Sequence, residues 1–228
     1  MYNQIEKNEE LKKLSSQVSK LLKEKFGKGP ESCSAFEGEG YITFYIRKFT
    51  SPMENVLVQQ GEVNLALRSR NIIVDSILTE LKKIMEQAVN TDIRKIYHDW
   101  NYELNTGILN VVLSQGELTN HSFLVKEQLE SKIIQINKLK NKLPKRTESI
   151  QIDSNLYLVK CSGFVLPIEK MLIDKGDTDL LLDMESIFKA HYFRHIEEFE
   201  MIFQKGVADL FIHWDYHNDE SFVCFILK

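Results

Sequence analysis

FTSPMENVL, residues 49–57, is answered by FVLPIEKML at residues 164–172. Phe49, Pro52, Glu54 and Leu57 recur as Phe164, Pro167, Glu169 and Leu172, each 115 positions on, and Gly61 recurs as Gly176. Further along, HDWNY (98–102) and HWDYH (213–217) hold the two tryptophans of the chain. Trp100, Tyr102 and Leu113 recur as Trp214, Tyr216 and Leu227 at a spacing of 114, so a one-residue indel separates the two blocks. Order and spacing held over two blocks indicate a duplication, and such repeats decide the fold reading. The repeats are placed at residues 1–115 and 120–228, with the polar SQGELTNHS (114–122) as linker.

Working outward, each repeat reads in the same order. Leu11, Leu14, Val18, Leu21 and Leu22 make an apolar stripe at helical spacing over about residues 4–26, and Gly27 suits the left-handed position after a helix. SCSAF (32–36) and YITFYIRKF (41–49), rich in β-branched and aromatic residues, form a hairpin about EGEG. Pro52 opens a short helix. Leu67, Val74, Leu78, Leu81 and Met85 mark a long one, and strands at 93–102 and 108–113 close the repeat. In the second half, a helix carrying Leu129, Ile133, Ile136 and Leu143 precedes strands at 148–152 and 156–163. A long helix (179–204) and strands at 209–216 and 222–227 follow. The expectation is an α+β chain of two tandem α-β-β-α-β-β repeats, each a four-stranded antiparallel sheet covered on one face by helices.

Composition narrows the function classes. With 43% hydrophobic and 27% charged residues, the 228-residue chain is of ordinary globular type. A net charge of −4 opposes general nucleic-acid binding, which relies on basic surface to displace counterions. No uncharged apolar run reaches the roughly 18–20 residues that span a bilayer, and MYNQIEKNEELKK at the start is unlike a secretory signal. Three cysteines (Cys33, Cys161, Cys224) in no CxxC pair suit reduced thiols in a cytoplasm.

Several residues invite a chemical reading. GKGP (27–30) lacks the spacing of a phosphate loop and ends a helix, where the dipole repels anions. His191 and His195, four apart on one helix, together with His213, Asp215 and His217 on one strand face, are the weak candidates for a zinc or iron site. In the first repeat the strand positions are Asp99, Asn101 and Glu103, so a polar, solvated sheet face explains both copies. The helix face toward the sheet is better claimed by Tyr192, Phe193, Ile196 and Phe199. His98 reads as a hydrogen-bonded residue at the core's rim, and His121 lies in the linker. The basic run NKLKNKLPKR (137–146) reads as a solvated face, and no nucleophile motif such as GxSxG occurs. Arg68 and Arg70 stand where the second repeat has Asp183 and Glu185, and with Glu54 they are the candidates for binding a partner or an anion. The recurring Trp and Tyr read as one wall of each core.

Gly27, Lys28, Gly29, Pro30, Thr50, Glu54 and Arg68 or Arg70, in the order helix, corner, hairpin, short helix and Arg-bearing long helix, resemble the MpsC-like family over about residues 5–113. Its members are small soluble proteins named for a proposed sodium-translocating, membrane-potential-generating system. The second half looks like a divergent copy, with NKLPKR in place of the GKGP corner and the arginines lost. The resemblance implies a cytoplasmic, non-enzymatic accessory protein beside membrane ion or inorganic-carbon uptake, without a cofactor. Its partner would be a protein, such as a membrane transport component, with homo-oligomers left open. A metal-binding enzyme or sensor built on the histidines of the second repeat is the alternative.

Overall fold

The computed structural model describes residues 2–114 and 123–228, without the side chains of residues 2–5, 178 and 179. His121 and nearly all of the linker fall outside these residues. The chain divides into two compact units, Met1–Thr119 and Asn120–Lys228.

Unit 1 runs α1 (Tyr2–Phe26), β1 (Ser32–Gly38), β2 (Tyr41–Arg47), α2 (Pro52–Gln59), α3 (Val63–Val89), β3 (Ile93–Asn101) and β4 (Thr106–Leu113). Its strands form an antiparallel sheet in the order β1-β2-β4-β3, so the hairpins are joined through β2 and β4. Leu14, Val18, Leu21 and Leu22 of α1 and Val74, Ile77, Leu81 and Met85 of α3 pack against Ile42, Phe44, Ile46, Trp100, Leu109 and Val111 of the sheet. The helical and alternating apolar periods therefore meet in one core.

Unit 2 runs α4 (Lys126–Lys138), β5 (Arg146–Asp153), β6 (Leu156–Ser162), α5 (Pro167–Lys175), α6 (Thr178–Phe193), α7 (Ile196–Phe203), β7 (Val207–Asp215) and β8 (Glu220–Leu227). Its sheet has the same order, β5-β6-β8-β7. The chain is thus α+β, with two repeat-like units.

The correspondence reaches the backbone's exceptional positions. Left-handed residues fall at matched places: Gly27 and Asn141, Lys48 and Gly163, Gly61 and Gly176, Asn90 and Gln204, Asn105 and Asp219. Asn105 Oδ1 accepts the N–H groups of Phe49 and Thr50, each at 2.8 Å, and Asp219 Oδ1 accepts those of Phe164 and Val165 at the same distance. Each bond set ties the last hairpin to the corner before the short helix. Glu86 caps the Ile93 N–H, and Glu200 caps that of Val207, both at 2.9 Å.

Four sequence expectations are corrected. The helix expected at 179–204 breaks at Arg194–His195 into α6 and α7. His195 stands where unit 1 has the fully buried Leu81. Its imidazole instead bonds the Glu198 carboxylate at 2.7 Å, at the start of a new helix. Leu143 is not part of the preceding helix; α4 ends at Lys138, and Leu143 is exposed in the corner that follows. His217 lies in the turn between β7 and β8, not on the strand. Asp215, assigned to a solvated face, is buried and holds Asn218 through that residue's N–H (3.2 Å) and Nδ2 (2.8 Å).

Candidate functional site: a caged ion pair in each unit

Ser51, extended at φ −74° and ψ 162°, N-caps α2, and Pro52 opens its first turn. Glu54 then falls at the third helical position. Its N–H donates to Ser51 Oγ at 3.3 Å while its Oε2 accepts the Ser51 N–H at 2.8 Å, completing a capping box. This fixes the carboxylate under the helix end, and Arg70, early on α3, meets it there. Arg70 Nε donates to Glu54 Oε1 and Nη2 to Oε2, both at 2.6 Å, and Nη2 also reaches the Phe49 carbonyl at 3.2 Å. The two-pronged geometry is the strong form of an arginine–carboxylate pair. Tyr102 closes the group by donating its hydroxyl to Glu54 Oε1 at 2.8 Å.

Both charges are 2% exposed. Aromatic rings enclose the guanidinium, whose carbon lies 4.5 Å from the Trp100 centroid, 4.7 Å from Phe49, 5.2 Å from Phe26 and 5.4 Å from Tyr102. Gly107, opposite Trp100 on β4, makes this possible: a Cβ there would fall 2.0 Å from the indole ring. Burial alone would raise the Glu54 pKa, but Arg70 and Ser51 outweigh it and hold the carboxyl below its usual range. Burial, with the Glu54 charge beside it, pushes the Tyr102 hydroxyl up despite the opposing pull of Arg70.

Unit 2 keeps the acid and takes its cation from another element. Glu169, third residue of α5, is wholly buried and its Oε2 accepts the Leu166 N–H at 2.9 Å. Leu166 offers no acceptor, so only this half of the capping box forms. Lys142 supplies the charge, pairing with Glu169 Oε1, its Nζ lying 4.7 Å from the Phe188 ring, 5.3 Å from Phe164 and 5.6 Å from Tyr216. Lys142 belongs to NKLP (141–144), which occupies the same corner as GKGP: Asn141 is left-handed like Gly27, and Lys142 and Pro144 match Lys28 and Pro30. The corner thus persists in the second half, contrary to the sequence reading. Lys142 is also buried, not part of a solvated basic face. Lys28 remains exposed and donates to the Thr50 carbonyl at 3.1 Å. Glu185, at the place of Arg70, bonds the Tyr216 hydroxyl, which burial first and the neighbouring carboxylates next push up. Ser221 replaces Gly107 opposite the tryptophan, and Trp214 stays half-buried, edge-on to Phe188 at 6.5 Å.

Of the Trp-x-Tyr pair read from sequence as core wall, Trp100 does lie in the core and also covers Arg70, whereas Tyr102 lies in the turn after β3 with its hydroxyl on Glu54. Of the three candidate binding residues, the structure joins Glu54 to Arg70. Arg68 lies elsewhere on the surface of α3, half-buried. Sequence reasoning missed Tyr102, Asn105 and Lys142 as members of these sites. The recurrence of Tyr102 and the matched lysines at 28 and 142 were the available signals.

Among the described residues, no group of three or more His, Cys, Asp or Glu side chains stands together as a metal site. His195 is engaged by Glu198 and Asp215 by Asn218. The His191 ring packs edge-on to His195 at 5.1 Å, and both its nitrogens are buried without a hydrogen-bond partner. Unit 1 has the buried Ile77 at that place. Burial, then the cations Lys140, Arg194 and Lys132 and the neighbouring His195, lower the His191 pKa. His98 is a hydrogen-bonded rim residue, accepting Trp100 Nε1–H on Nδ1 and meeting Asp75 through Nε2, each at 3.2 Å.

No helix among the described residues is long and apolar enough to cross a membrane. The chain matches no curated protein and no solved structure. Residues 6–115 match the family model described as MpsC, Na+-translocating membrane potential-generating system. That match falls within unit 1, so the unit that holds the Glu54–Arg70 pair is the part of the chain similar to the MpsC family.

Proposed function

We propose that this chain is a non-enzymatic, cytoplasmic accessory protein built by duplication, and that it binds a protein component of a membrane ion-translocating system. The observation that carries this reading is a repeated apolar surface. Met53 and Val56 of α2 and Leu65 and Ile72 of α3 are exposed, and at matched places so are Ile168 and Met171 of α5 and Leu180 and Ile187 of α6. All eight lie between 42% and 71% exposed. Isolated exposed apolar residues are common, but the same four-residue set kept in two diverged units supports a contact surface.

The caged pairs give this surface its shape. Glu54–Arg70 fastens α2 to α3. With Nε, Nη2 and both carboxylate oxygens engaged by each other and by their neighbours, the pair acts as a brace and positions the face. Arg68 lies between Leu65 and Ile72 at helical spacing and would contact the partner directly. Glu54 and Arg70 act through the fold.

A photo-crosslinking amino acid at Ile72 or Ile187, in the full chain inside cells, tests the reading against a control at Lys13 on α1. Crosslinks to one integral membrane protein from both apolar positions, abolished by Met53→Asp, are expected. Crosslinks only to a second copy of the chain, or the same products from Lys13, would refute it.

A further inference from the structure

The Glu54–Arg70 pair leaves one nitrogen over. Arg70 donates through Nε to Glu54 and Tyr102 and through Nη2 to Glu54 and the Phe49 carbonyl, but Nη1 meets no acceptor among the described residues. Unlike the His191 nitrogens, Nη1 is not shut off from solvent. Arg70 lines a pocket of about 320 Å3 between the end of α1, the start of α2 and α3. That volume is at the lower end of those that hold small ligands, about 300–1,000 Å3. Ser51, also buried there, accepts the Glu54 N–H on its Oγ, and its own hydroxyl donates to nothing among the described residues. Phe26, Met53 and Ile73 supply apolar wall, and Lys25, exposed, adds an ammonium group. Ser69, its hydroxyl turned back onto the Leu65 carbonyl at 2.8 Å, is small enough to leave the pocket open.

The charges select the occupant. Glu54 and Arg70 cancel, and both Glu54 oxygens are taken: Oε1 by Arg70 Nε and Tyr102, Oε2 by Arg70 Nη2 and the Ser51 N–H. Lys25 reaches Glu80 only at 3.8 Å, in a pair open to water and so weakly held. The groups left to a ligand are therefore donors: Nη1, the Ser51 hydroxyl and the Lys25 ammonium. An amine would meet like charge from Arg70 and Lys25. A phosphate dianion would bring its second charge against apolar wall and towards the Glu54 carboxylate, where nothing compensates it. A carboxylate brings one charge and accepts a charge-assisted bond from Nη1, and an apolar body behind it suits Phe26, Met53 and Ile73. Unit 2 keeps none of these donors at matched places: Leu139 stands for Lys25, Leu166 for Ser51 and Glu185 for Arg70, while Met184 replaces the small Ser69.

We infer that this pocket of unit 1 binds a monocarboxylate with an apolar body, its carboxylate on Arg70 Nη1 and Ser51 Oγ and its chain against Phe26, Met53 and Ile73. Towards the apolar face the pair acts through the fold; here the nitrogen that the brace does not use touches the ligand. The inference rests on the geometry of the pair and not on the apolar face, so crosslinking there and ligand binding here fail or succeed independently. A free acid and the C-terminus of a peptide offer the same carboxylate, and the titration separates them.

The full chain in a Trp214→Phe background is titrated with hexanoate, its neutral analogue hexanamide, inorganic phosphate, and a leucine-ended tripeptide as acid and as amide. The Trp100 ring lies 4.5 Å from the Arg70 guanidinium carbon, so its fluorescence reports occupancy. Hexanoate is expected to give a saturable change with a dissociation constant of about 1 mM or tighter. Hexanamide, without the charge, should bind about tenfold or more weakly. Tighter binding of the peptide acid than of hexanoate, with the peptide amide inactive, assigns the carboxylate to a partner's C-terminus; the reverse order assigns it to a free acid, and either upholds the site. Lys25→Leu with Ser69→Met, which installs the unit 2 residues outside the ion pair, should weaken hexanoate about tenfold or more, with the urea midpoint as the check that the fold is kept. Arg70→Lys, which has no Nη1, should lose binding while its urea transition persists. Equal affinity for hexanoate and hexanamide, hexanoate binding unchanged in the double variant, or phosphate bound more tightly than either acid would overturn the inference. So would the absence of any saturable change below about 10 mM of either acid.

Discussion

Arg70→Met leaves the buried Glu54 carboxylate without its counter-charge, with only Ser51 and Tyr102 to solvate it. Removing one partner of a buried pair costs about 3–5 kcal/mol, because the other charge is stranded, whereas replacing both by apolar groups is often close to neutral. The double substitution Glu54→Leu with Arg70→Met should therefore cost much less than the sum of the singles, with a coupling of about 3 kcal/mol or more. The chain's two tryptophans fall one in each unit, so a Trp214→Phe background makes Trp100 fluorescence a reporter of unit 1 alone. At an m-value of about 2 kcal/mol per M, Arg70→Met should lower the urea midpoint by roughly 2 M. Arg70→Lys, which keeps the charge but loses the fork, should lie between and guards against a variant that fails to fold. The pH profile gives a second check. Folded Glu54 ionises at lower pH than the unfolded side chain. Its contribution is complete above the unfolded value of about 4.3 and is lost as pH falls through the folded value. Additive single costs, or an acid limb unchanged by Glu54→Gln, would refute the brace.

The matched lysines should differ in consequence. Lys142→Met, which strands Glu169, should destabilise unit 2 by about 3 kcal/mol or more, and Lys28→Met should change unit 1 by less than about 0.5 kcal/mol, both read by urea titration. Gly107→Ala should cost about 1–3 kcal/mol, because its methyl would meet the Trp100 ring at 2.0 Å. Trp100→Phe in the same chain should recover part of that loss. His191→Leu should stabilise unit 2 by about 1 kcal/mol, since two unpaired ring nitrogens leave the interior. With its folded pKa lowered, His191 binds fewer protons folded than unfolded, so stability should fall as pH drops below about 6.5. Calorimetry of His191→Leu should show that slope reduced, and an unchanged slope would remove His191 as its source.

Periodicity made the fold legible. The stripe Leu14–Val18–Leu21–Leu22 and the alternation along YITFYIR have few other ways to bury their apolar faces. Doubled anchors such as Pro52/Pro167 and Trp100/Trp214 placed the elements in order. The break at His195 escaped because a helical pattern does not show that an imidazole at a core position will prefer a nearby carboxylate. Glu54 and Arg70 were noticed as candidates, but residue type does not say whether an arginine faces solvent or a carboxylate brought sixteen positions closer by a turn. Lys142 was least legible: in a basic run, one lysine among five cations looks like any other.

The sequence by itself determined two units of one topology, because hydrophobic period, glycine position and proline position are local properties of the chain and recur in both units. Tertiary structure decided which charges are buried. That choice depends on which side chains three separated segments bring within about 3 Å of one carboxylate, and on whether a glycine or a serine stands under the neighbouring indole. Unit 1 settled on Arg70 from α3 and unit 2 on Lys142 from the corner after α4, around the same glutamate.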